Sequence, residues 1–169
     1  MEMQNIHVDE VSLMFEAARS FIGGAKIIID SDGIEEDGVN RHPTLPVIVC
    51  LAIAIEIELK ALLKLSSLSR PRGDGHDLKV LFEALPDSVQ VELLEFQIAY
   101  TDFSASHAKE MLDEGKDVFK KWRYAYEKST LETAPAFLFG FALALSEYIK
   151  SKTSIERSDN GWLKNDSRR

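Results

Sequence analysis

Cysteine is nearly absent from this chain. Cys50 stands alone in 169 residues, so no internal disulfide can form and the composition suits a reducing compartment. Proline and glycine are sparse as well, at 5 and 9, which excludes collagen-like and low-complexity architectures. Long apolar runs are missing. The block Leu45 to Ile55 is interrupted by Glu56, Glu58 and Lys60, and Ala134 to Leu145 ends at Ser146-Glu147; both fall well short of the roughly 20 residues a membrane span requires. The start, Met1-Glu2-Met3-Gln4-Asn5, lacks the basic flank and apolar block of a secretory signal, and a cytoplasmic protein with no membrane contact is expected. Positive charge is in deficit: 20 basic against 28 acidic residues give a net charge of −8. That balance argues against a protein coating nucleic acid or anionic lipid indiscriminately, because such affinity comes from released counterions or surface potential. Fixed-period repeats and the H-E-x-x-H, C-x-x-C, G-x-S-x-G and P-loop signatures are also missing. The four histidines, His7, His42, His76 and His107, are scattered, so neither a metal cluster nor a cofactor is expected.

What is present is helical periodicity. Asp9 can cap a first helix whose Val11, Met14, Phe15, Ala18, Phe21 and Ile22 share one stripe. Gly23-Gly24 can end or loosen it, and Ala25 to Ile29 reads equally as a helical turn or a short strand. Residues 30–45 read as an acidic loop. Its Asp30-x-Asp32-Gly33 start resembles a calcium loop, but Arg41 occupies the position of the required glutamate, leaving a solvated loop. A second helix, Pro46 to Leu65, is apolar nearly all round and belongs at the centre of a bundle. A third runs from Asp77 to Leu85 and is stopped by Pro86. A fourth, capped by Asp87 or Ser88, carries Val89, Leu93, Phe96 and Tyr100 and extends, bent, to Leu112. A fifth covers Lys116 to Lys128. The last opens at Thr133 and Pro135 and runs to Lys152, followed by a polar tail over 153–169. The expectation is one all-α domain over 1–152, an up-and-down bundle of five to six helices.

Three polar constellations interrupt this apolar frame. In the second helix Glu56 shares a face with Val49, Ala52, Ile53, Leu59 and Leu63, with Lys60 one turn on, while Glu58 is flanked by Leu51, Ala54, Leu62 and Leu65. Unpaired buried charge costs several kcal/mol, so these residues form either a surface Glu56–Lys60 pair or a polar pocket inside the bundle. The segment Arg70-Pro71-Arg72-Gly73-Asp74-Gly75-His76-Asp77 places two arginines and a histidine before a helix N-terminus, an arrangement suited to an anion. It serves equally as a helix cap made by His76 or Asp74. The glycines would permit close backbone approach. In Trp122-Arg123-Tyr124-Ala125-Tyr126-Glu127 the aromatics supply a core stripe, and Arg123 and Glu127 can pair with each other or with the second helix. Arg123 with Tyr124 would also suit a phosphate or a stacked base. His107 reads as half-buried and structural, and Cys50 as inert.

Taken together, Glu56-x-Glu58-Leu59-Lys60-Ala61-Leu62-Leu63, Gly75-His76-Asp77-Leu78 with Leu81-Phe82, and Trp122-Arg123-Tyr124-x-Tyr126-Glu127 resemble bacterial proteins of the HEPN-like superfamily (higher eukaryotes and prokaryotes nucleotide-binding). The resemblance covers roughly Pro46 to Lys152. It implies a helical bundle, frequently a homodimer, in systems of defence, stress response or toxin–antitoxin control. Members include metal-independent ribonuclease toxins and non-catalytic partners of small nucleotidyltransferases, so the implied partners are RNA or a nucleotide and a nucleotidyltransferase or antitoxin. Active members carry an arginine followed four to six residues later by a histidine. Arg70 and His76 satisfy that count, although Pro71 stands where a polar residue is usual. The resemblance therefore implies Arg70 and His76 as catalytic residues, with Glu56, Lys60, Arg72, Asp77, Arg123, Tyr124 and Glu127 as a ligand-binding or polar cluster. It leaves two functions open, a ribonuclease and a nucleotide-binding or dimerisation module.

Overall fold

The computed structural model describes residues 3–31, 34–36, 39–41, 44–68, 75–115 and 135–153. Among them the elements are α1 (Met3–Ile29), β1 (Ile34–Glu36), β2 (Val39–Arg41), α2 (Thr44–Leu65), α3 (Leu78–Glu83), α4 (Asp87–Phe96), α5 (Ile98–Thr101), α6 (Ala105–Gly115) and α7 (Pro135–Lys152). The described chain is an all-α bundle carrying one small β ladder. Its fifth expected helix and its polar tail lie outside the described residues.

The centre of the bundle is α2, which packs against α1, α7 and α3. Its apolar circumference explains the position: Val47, Ile48, Leu51, Ala52, Ala54, Ile55, Leu59, Ala61, Leu62 and Leu63 are all buried, so only a helix covered on several sides could satisfy this sequence. On α1, Val11, Phe15, Ala18, Ile22 and Ala25 are buried at alternating spacings of four and three, the stripe of a helix docked on one neighbour. On α7, Phe137, Leu138, Phe141, Ala142, Leu145 and Ile149 close the core.

Several boundaries differ from the sequence expectation, each for a local reason. α1 does not stop at Gly23-Gly24 but continues to Ile29, because buried Ala25 and half-buried Ile28 hold its last turns on the core. The segment expected to be only a loop contains an antiparallel ladder, Ile34 opposite Arg41 and Glu36 opposite Val39. The single bent helix expected from Ser88 to Leu112 is three pieces. Gln97 lies at the first break with a fully buried side chain. Its Nε2 donates to the carbonyls of Leu94 (3.1 Å) and Phe103 (2.9 Å), satisfying backbone groups that the interrupted helix leaves without intrahelical partners. Asp102, with a φ of 58°, ends α5, and the Ser104 hydroxyl accepts from the His107 amide to cap α6. Neither Asp87 nor Ser88 caps α4; Pro86 occupies that position and Asp87 sits in the first turn.

α5 reaches α7 by backbone contact. A methyl group built on Gly140 would lie 2.4 Å from the Tyr100 carbonyl oxygen, so this crossing requires glycine.

The end of α2 sets up the polar cluster. Ser67 adopts a left-handed conformation (φ 55°). The Leu68 amide donates to the Leu63 carbonyl and the Ser67 amide to that of Lys64, the two bonds of a Schellman motif. The chain turns sharply there, and farther along the sequence His76 lies beside Glu56 in the middle of α2.

Candidate functional site

Three side chains from two elements converge where α3 begins. Glu56 and Lys60 are one turn apart on α2. His76 lies in the turn that leads into α3 and packs back onto Glu56. The Nδ1 atom of His76 is 3.0 Å from Glu56 Oε1 and 3.1 Å from Oε2, and Lys60 Nζ donates to Oε1 of the same carboxylate. Burial grades across the cluster: the Glu56 and Lys60 side chains are 11% and 12% exposed, whereas that of His76 is 67% exposed. A carboxylate anchored in the protein thus holds an imidazole whose ring faces solvent. The Glu56–Lys60 pair is formed but nearly buried rather than at the surface, and Glu56 also reaches across to His76.

Local sequence explains why His76 is held there. Asp77, not His76, caps α3: its carboxylate accepts from the Val80 amide at 3.1 Å, and its backbone is extended. The cap orients the first turn and leaves His76 one position outside the helix, where its ring turns toward α2 rather than toward the α3 amides. Asp77 thus serves as the cap of α3, next in sequence to His76. The buried stripe Leu78, Leu81 and Phe82 fixes α3 on the core. Among the described residues no atom lies within 4 Å of a Cβ added at Gly75, so the space beside it is open. Arg70, Arg72, Asp74, Arg123, Tyr124 and Glu127 lie outside the described residues.

With Nδ1 donating to Glu56, the proton is placed on that nitrogen and Nε2 becomes the basic atom of the ring. A carboxylate that fixes an imidazole tautomer in this way is the arrangement used to prepare a general base.

A second polar pair lies on another side of α2. Glu58 is fully buried and accepts a hydrogen bond from the Ser146 hydroxyl of α7. Its other oxygen, Oε2, has no hydrogen-bond partner among the described residues. Burial drives the Glu58 carboxyl well above its ordinary range, against weaker opposing effects of the Ser146 bond and the Arg19 charge. The sequence marked Glu58 as anomalous, but it held no signal for Ser146, a partner 88 positions away. His107 is half-buried and stacks on Phe103 with ring centres 4.7 Å apart.

Compared with known proteins, the chain matches no family model, no curated protein and no solved structure.

Proposed function

We propose that the chain is a HEPN-like helical protein acting on RNA in a bacterial defence, stress or toxin–antitoxin system, and that it cleaves RNA without a metal ion. The observation that carries this reading is the solvent-facing His76 imidazole held by the nearly buried Glu56 carboxylate. In this mechanism His76 Nε2 takes the proton from a ribose 2′-hydroxyl. The 2′-oxygen attacks the adjacent phosphorus, the bond from phosphorus to the 5′-oxygen breaks, the leaving oxygen takes up a proton from water, and the imidazolium returns its proton to solvent. The products are a 2′,3′-cyclic phosphate and a 5′-hydroxyl end. Glu56 holds the imidazole and balances the charge it acquires. Arg70 or Arg72, just upstream in sequence, would carry the negative charge that builds on the phosphorane.

The test is RNA cleavage by wild type, His76→Ala and Glu56→Gln, with helical content checked by circular dichroism. His76→Ala is expected to lose roughly 10²- to 10⁴-fold in rate, the usual worth of a general base, and Glu56→Gln to lose less while still folding. Cleavage unchanged in His76→Ala refutes the proposal.

A second reading rests on the near-complete burial of the Glu56–Lys60 pair. A locked ion pair of this kind also suits a non-catalytic nucleotide-binding or dimerisation module in which the cluster ties α2 to α3. That reading expects His76→Ala to change nucleotide affinity or melting temperature with no cleavage to lose.

A further inference from the structure

The residues that surround the Glu58–Ser146 pair open onto a groove between α1 and α7, with a volume of about 320 Å³. We propose that this groove binds a phosphate monoester carried on an apolar body, with Arg19 and Ser146 holding the phosphate. This reading goes beyond the RNA-cleavage proposal and does not depend on it. Glu56 and Glu58 are two residues apart on α2, so their side chains leave the helix about 200° apart.

Charge is the first argument. In a chain of net charge −8, the groove is lined by three cations, Arg19, Lys26 and Lys150, against one carboxylate, Glu147. Lys26 pairs with Asp30 and Lys150 with Glu147, each within its own helical turn or the turn that follows. Arg19 pairs with no carboxylate among the described residues; its guanidinium lies 5.7 Å from the centre of the Phe15 ring. Its charge reaches Glu58 only through space, and a guanidinium with no ion pair among the described residues presents its planar set of donors to an incoming anion, and phosphate oxygens match that geometry.

The second argument is the buried pair itself. Ser146 lines the groove and Glu58 stands directly behind it. A protonated Glu58 reverses the present hydrogen bond, donating to Ser146 Oγ, and the hydroxyl hydrogen then turns into the groove as a second donor beside Arg19. This gives the buried carboxyl a role in orienting the Ser146 hydroxyl. The apolar wall of Ile22, Phe139 and Leu143 accounts for the remainder of the ligand, since a bare inorganic ion would leave it uncovered.

The experiment is isothermal titration of the full chain with phenyl phosphate, inorganic phosphate and phenol. Wild type should bind phenyl phosphate at least tenfold more tightly than either fragment. Arg19→Gln and Ser146→Ala should each weaken it tenfold or more. Arg19→Lys, which keeps the charge but not the planar fork, should fall between wild type and Arg19→Gln, and its melting curve shows that the fold persists. His76→Ala should bind as wild type does, which separates this site from the RNA-cleavage proposal. Absence of binding by wild type, equal affinity in Arg19→Gln, or inorganic phosphate binding as tightly as phenyl phosphate overturns the inference.

Discussion

Replacing Glu58 by glutamine keeps the shape of the side chain and its hydrogen bond to Ser146 but removes its ability to ionise. The consequence depends on pH. An ordinary glutamate in the unfolded chain loses its proton near 4.5, whereas desolvation keeps the folded Glu58 protonated to well above that value. Over the interval from about 4.5 up to the folded value, the folded state binds more protons than the unfolded one, so the wild type loses stability as pH rises. Glutamine does not titrate and escapes that loss. Each unit of separation is worth about 1.4 kcal/mol. Glu58→Gln should therefore stay close to wild type in stability at pH 5 and gain up to about 1.4 kcal/mol on it for each pH unit above that, until the folded carboxyl ionises. In a chain of this length each kcal/mol corresponds to roughly 2–4 °C in melting temperature. Urea titrations of both proteins at pH 5, 6.5 and 8 measure the difference. A stability difference that stays flat across those three pH values, or a variant less stable than wild type at pH 8, would refute the reasoning.

Two further outcomes follow from local geometry. Gly140→Ala forces a methyl group against the Tyr100 carbonyl and should cost about 3 kcal/mol, the upper range for overpacking, visible as a lowered urea midpoint with an unchanged slope. Asp77→Ala removes the α3 cap and should cost about 1 kcal/mol. Because the cap also aims His76, the same variant should lower RNA cleavage more than that small loss of stability explains, and a rate equal to wild type would count against the positioning argument.

The helices that could be read in the sequence are those whose burial pattern is a local property. The apolar circumference of α2, the three-and-four spacing of α1 and the stripe Leu78, Leu81, Phe82 each state their packing within one or two turns. The division of α4 to α6 could not be read this way, because it depends on Gln97 reaching the Phe103 carbonyl and on Asp102 adopting a left-handed backbone. Both are choices made by tertiary context among residues that also fit a continuous helix. In the candidate site, Glu56, Lys60 and His76 were each conspicuous, two as charges in an apolar helix and one by its place before a helix start. The contact between Glu56 and His76, however, depends on how the chain returns after Ser67. For Asp77 a cap and a ligand have the same residue preferences in sequence, and the Val80 amide contact shows the capping role. Ser146 could not be found, since a serine at the end of an apolar run is unremarkable until a buried carboxylate is placed opposite it.

The two carboxylates of α2 have a bearing on how this chain can change over evolutionary time. One residue inserted or deleted before Glu56 in α2 rotates everything beyond it by about 100° relative to the preceding turns. Glu56 would leave His76 and Glu58 would leave Ser146 in the same event, and turning the helix back to restore them would move the buried residues that precede the indel, among them Val47, Ile48 and Leu51, out of register with the core. Indels should therefore be purged from α2 more strictly than its apolar surface alone requires, while single substitutions among its aliphatic residues remain tolerable. The helix acts as a fixed ruler between two polar positions, and its length and phase are under tighter constraint than the identity of most residues along it.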